Sequence, residues 1–193
     1  MTGIDVLRMQ LNGSFNNVNG RLSELRDEEW DRRAGQGTSK LGFILWHCAR
    51  ILDWTANSAI QGVQEVADRE PWRGRFPEGA LYGAGISEEV ADSVPETVTR
   101  ADTQAYLADV KTAVFEWFDR QTPESLDAPV SLRQTQTRRP GYLDPAVWAE
   151  IEDLDQLPAW AFLVRPAGGH VRGHCGEYDA LRSLLRSGVT PGA

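Results

Sequence analysis

Residues 41–54 read Leu41-Gly42-Phe43-Ile44-Leu45-Trp46-His47-Cys48-Ala49-Arg50-Ile51-Leu52-Asp53-Trp54. At about 100° per residue, Phe43, Ile44, His47, Ile51, Trp54 and Ser58 fall on one face, which predicts a helix. Gly35 and Gly37 mark a turn before it, and Ser39 suits its N-cap. The helix is expected to reach about Ala67. Upstream, Ile4, Leu7, Leu11, Phe15, Val18, Leu22 and Leu25 recur in steps of three and four, the stripe of a first amphipathic helix. Gly13 and Gly20 each weaken it by about 1 kcal/mol relative to alanine.

Downstream, a third helix is expected over roughly 100–120. Asp102 lies near its start, and Tyr106, Val110, Val114, Trp117 and Phe118 form its stripe. A last helix ends near Arg186, before Gly188. Its start is open, because Pro158 suits a first turn whereas Pro166 would kink the helix. Gly168, Gly169, Gly173 and Gly176 are costly inside a helix. They imply either close helix packing or room for a ligand or another backbone. Between these helices lie two long connections, 68–98 and 121–157. The first, with Pro71, Pro77 and Pro95, reads as a binding loop or lid with short helical turns. In the second, only Pro145 to Glu152 looks regular. Val130 to Thr137 is the single strand candidate, and a weak one. Four long amphipathic segments predict an all-α bundle, one domain over 1–193.

The chain has 193 residues, 20 basic and 28 acidic, for a net charge of −8. That balance argues against nucleic acid and against an anionic membrane face as partners. No apolar run approaches the roughly 20 residues of a membrane span. The start shows no basic stretch followed by an apolar one, and two cysteines cannot build a disulfide scaffold, so a cytoplasmic protein is expected. Only Lys40 and Lys111 are lysines, a skew toward arginine that fits a GC-rich genome.

Histidine occurs three times. His170 and His174 are four apart, which puts both imidazoles on one helical face where they can share a metal ion. His47 lies on the inward face of its helix, so all three are expected to point inward. Three ligands leave a tetrahedral ion with an open position, the arrangement of a catalytic site. Residue 171 is valine, so the His-Glu-x-x-His protease pattern is missing. Around them, Arg50 is a candidate for binding a substrate carboxylate, or else a partner of Asp53 or Glu177. Glu177 is a candidate general base, fourth ligand or partner of a histidine, or else half of a helix salt bridge. Tyr178 can donate its hydroxyl to a metal-held group or simply pack in the core. Cys48 and Cys175 each follow a histidine, point about 100° away from it, and read as buried thiols.

The stretch Leu45 to Asp53 resembles the second helix of DinB/YfiT-like proteins. His170-Val171-Arg172-Gly173-His174-Cys175-Gly176-Glu177 resembles the HxxxH stretch of their last helix, and Arg26-Asp27-Glu28-Glu29-Trp30 the end of their first. The resemblance implies a four-helix bundle with long crossover connections. It also implies a divalent metal held by His47, His170 and His174, with zinc the first expectation and nickel or iron as alternatives. Its relatives include bacillithiol and mycothiol S-transferases and the mycothiol-dependent maleylpyruvate isomerase, and they are often dimers. By that resemblance the expected function is a metal-dependent transferase acting on a small molecule with a low-molecular-weight thiol such as mycothiol as cosubstrate. A non-catalytic metal-dependent binding protein and a metal-dependent hydrolase are the alternatives.

Overall fold

A computed structural model describes residues 1–188. The described residues are helical with no strand; one isolated bridge joins Pro129 and Pro158. Helix α1 (Gly3–Glu24) starts in a capping box, Thr2 with Asp5, and buries Leu11, Phe15, Val18 and Leu22. The short α2 (Asp27–Trp30) follows. Helix α3 (Leu41–Asp53) is buried on nearly every side, not on one face only. An apolar helix enclosed all round is what its composition allows: α1, α4 (Glu88–Thr97), α5 (Arg100–Phe118) and α10 (Val171–Ser187) all pack on it. Gly42 lets it approach α2, since a Cβ there would lie 2.6 Å from the Trp30 ring.

Helix α3 continues as a π-helix, Trp54–Ile60, and stops before Gly62. The helix expected to reach Ala67 is shorter for two reasons. Gly62 adopts φ +63°, and the Asp53 carboxylate accepts the backbone N–H groups of Val66 and Ala67 at 3.0 Å each. The chain is thereby turned back along α3.

The connection 68–98 ends in α4, which the sequence reading passed over because Pro95 lies within it. Helix α5 is capped by Thr99, whose hydroxyl accepts the Asp102 N–H at 3.0 Å. The connection 121–157 carries α6 (Pro123–Asp127), α7 (Leu132–Thr135) and α8 (Pro145–Trp148) with 3-10 turns between them. The strand candidate at 130–137 is therefore α7 and the turn after it.

The last helical stretch is continuous but not uniform. Helix α9 (Ala159–Val164) follows Pro158, passes through a π-helical turn, Arg165–His170, and becomes α10. The π turn accommodates Pro166, which lacks the N–H that an α-helix needs. Gly168 fits the same turn: its Cβ would lie 3.1 Å from the Leu163 carbonyl five residues back. Gly173 and Gly176 face open space, so close helix packing does not explain them. Gly188, at φ +68°, ends α10. No described helix is long and apolar enough to cross a membrane.

Candidate metal centre

His47 comes from the middle of α3, His170 from the end of the π turn, and His174 from the first turn of α10. Their ligand nitrogens all lie within 4.8 Å of one another. His170 Nε2 stands 3.1 Å from Nε2 of His47 and 3.1 Å from Nε2 of His174. The outer nitrogens decide what faces inward. His47 Nδ1–H donates to the Tyr82 carbonyl at 2.6 Å, and His174 Nδ1–H donates to Glu177 Oε2 at 2.8 Å. With Nδ1 protonated, each of these neutral rings presents a bare Nε2 lone pair. A neutral His170 supplies at most one proton between them. Such converging lone pairs repel one another unless a cation joins them. A metal–nitrogen distance of about 2.0–2.1 Å separates tetrahedral ligands by roughly 3.4 Å, close to the observed spacing. The donor set therefore fits a divalent ion.

His47 and His170 are held in the neutral form that metal ligation requires. Burial, reinforced by the other two histidines, pushes His47 down to about 3. Burial and His174 push His170 down to about 4. The three rings are not equally enclosed: His47 is buried, His174 intermediate and His170 exposed. The three nitrogens converge as expected, but His170 lies at the exposed rim of the core, where it closes the π turn.

Residues outside the sequence pattern support the cluster. Gly83 follows the carbonyl that holds His47 and has φ +96°; a Cβ there would lie 2.4 Å from His47 Nδ1. Only glycine lets this backbone come so close. Gly85, at φ +64°, lies against the Val147 backbone and joins the two long connections. Phe43 stacks on the His47 ring at 5.9 Å, nearly parallel. In the sequence, Gly83 and Gly85 were only two of several glycines in a long connection.

Next to His170 opens a cavity of about 380 Å³. Ile51, Trp54, Tyr82, Ile151 and Leu154 line it, with Glu150, Asp153 and Arg165 also in its wall. Both long connections contribute, so the expected binding loop at 68–98 does reach the site.

Matching residues 10–151, a family model described as the DinB superfamily covers well over half of the chain. The chain belongs to the DinB superfamily. The match includes His47 and ends before His170, so this DinB chain's other two histidines stand on the geometry above. No curated protein matches the chain.

The remaining candidates of this DinB chain fall in different places. Glu177 touches the site through His174. Arg50 does not enter the cavity. It is buried, with Nε and Nη2 donating to the Leu81 carbonyl, Nη1 donating to the Tyr106 hydroxyl at 2.7 Å, and ion pairs to Glu65 at 2.8 Å and Asp53 at 3.3 Å. Its donors are consumed inside the core, on the side facing 65–82. Tyr178 is also buried, its hydroxyl pushed up to about 12 by burial. Its charged neighbours are Arg182, Glu29, Asp179 and Arg186, toward the far end of α10. Cys48 and Cys175 are both buried. The two thiols face each other between α3 and α10, and their interaction raises the Cys48 thiol and lowers that of Cys175.

Proposed function

We propose that this protein is a metal-dependent transferase of small thiols, built on the four-helix framework of DinB-like proteins, with zinc the expected ion and mycothiol the first thiol to test. The observation that carries this reading is the set of three convergent Nε2 atoms, two of them fixed as lone pairs by Tyr82 and Glu177. When bound, a divalent ion supplies a Lewis-acid position that makes a thiolate available near neutral pH, below the usual thiol value of about 8.5. The chain's own residues do the rest. His47 and Tyr82 anchor one side of the centre to the core. Glu177 acts through His174 as a positioning residue, aligning the ring and raising its basicity. The exposed side at His170 gives the thiol proton a path to solvent, and the cavity there leaves room for a second substrate. The thiolate sulfur then forms a bond to an electrophilic carbon, and the leaving group departs with the electrons of the broken bond.

The test has two parts. Elemental analysis should find about one divalent ion per chain. The loaded protein should accelerate chloride release from 1-chloro-2,4-dinitrobenzene only when a thiol is present, and His170→Ala should abolish both. A chain that takes up no divalent ion, or unchanged turnover in His170→Ala, overturns the reading.

A further inference from the structure

Two π-helical segments bracket the cavity beside His170. Trp54 begins the first, and the second, Arg165–His170, contributes Pro166 and Gly169 to the wall before it delivers His170. A π turn inside a helix is uncommon and recurs at functional sites. Here the turn that sets a metal-ligand candidate also shapes the space next to it.

The wall is built before any ligand arrives. Trp54 stacks on Tyr82 with ring centroids 4.9 Å apart and planes 23° from parallel. Trp54 Nε1 donates to Gln136 Oε1 at 3.1 Å, and Ser58 donates to the same oxygen at 3.3 Å. Gln136 is buried, so the indole is clamped from the 121–157 connection. Ile151 and Leu154 add aliphatic side chains to the wall, and both are buried. The charges in the wall are Glu150, Asp153 and Arg165, and Arg165 forms an ion pair with Asp153.

We infer that this cavity receives the apolar body of the electrophilic cosubstrate, not the thiol. The inference rests on the transferase reading above and deepens it. Low-molecular-weight thiols that carry sugar or zwitterionic groups would leave their hydration unreplaced against Ile51, Ile151, Leu154 and the two rings. An apolar molecule instead packs against this apolar lining and displaces water from it. The volume lies in the range of ordinary small-ligand pockets. Leu154 is then a specificity-determining residue, because its side chain limits the width of the space.

The test reads binding alone, without thiol or turnover. The probe is 2-naphthol, titrated calorimetrically into zinc-loaded protein, with inositol as a polar ring control. The expected result is saturable one-to-one binding of 2-naphthol and none of inositol. Ala84 also lines the cavity, and Leu154→Trp and Ala84→Phe, which fill it, should each weaken 2-naphthol at least tenfold with zinc stoichiometry retained. Equal binding of inositol, or 2-naphthol affinity unchanged by both filling variants, overturns the inference. Intact naphthol binding with no thiol-dependent turnover overturns the transferase reading and leaves the cavity an apolar ligand site.

Discussion

At the scale of single residues, the metal centre depends on atoms that are not ligands. Gly83→Ala adds a Cβ where only 2.4 Å separates it from His47 Nδ1, at a φ of +96° that alanine avoids. The Tyr82 carbonyl must then withdraw, freeing His47 to rotate. We expect zinc affinity to fall by about 10–100-fold, the usual effect of losing a partner that orients a ligand. A chelator competition assay measures it. Glu177→Ala should have an effect of the same order through His174. The histidines themselves were legible, because residues four apart share a helical face whatever the surrounding fold. Their supports were not: a backbone carbonyl from a connection leaves no mark in the sequence, and Gly83 looks like any turn glycine. Of the two readings of Arg50, the pairing with Asp53 is the one found; its position one turn from His47 carried no sign of Glu65, Leu81 and Tyr106, which also hold it.

At the scale of elements, Arg50 and Asp53 fasten the end of α3 to the returning chain. Asp53 holds Val66 and Ala67, Arg50 holds Glu65 and Leu81, and Leu81 precedes the carbonyl that grips His47. Arg50→Ala leaves buried Asp53 without its counter-ion and Glu65 with only the more distant Arg139. It should destabilise the fold by roughly 3–5 kcal/mol in urea unfolding. A substrate-binding arginine would instead weaken turnover at unchanged stability. The long helices were readable from their apolar spacing, including α1 and α5 nearly to their ends. The π turns were not, because a shift in hydrogen-bond register changes no residue type. Pro166 signalled an interruption, but not that the helix would resume with His170 at its edge. Helix α4 was obscured by Pro95, which normally argues against a helix.

At the scale of the whole molecule, the helices close on one another through charged contacts at the periphery as well as through the core. Glu29 of α2 is buried against α10, where Arg186 donates to it at 2.7 and 2.9 Å. The Arg186 hydrogen bonds, helped by Arg26 and opposed by burial, hold its carboxyl well below the usual carboxylate range. The folded state therefore binds fewer protons than the unfolded chain as acid is added. This contribution to stability is complete above the ordinary carboxylate value of 4.5 and declines as pH falls below it. Thermal unfolding from pH 6 to pH 3 should show a smaller decline in Glu29→Gln than in the parent protein. The all-helical class followed from the apolar stripes. How the two long connections meet over the cavity did not, since that depends on contacts such as Gly85 on Val147, far apart in sequence. The central claim is that His47, His170 and His174 together bind one divalent ion. An anomalous difference map from crystals grown with zinc tests it most directly. One strong peak is expected about 2.0–2.1 Å from the three Nε2 atoms; zinc absent from that point, or held without His170, would contradict a site shared by the three histidines.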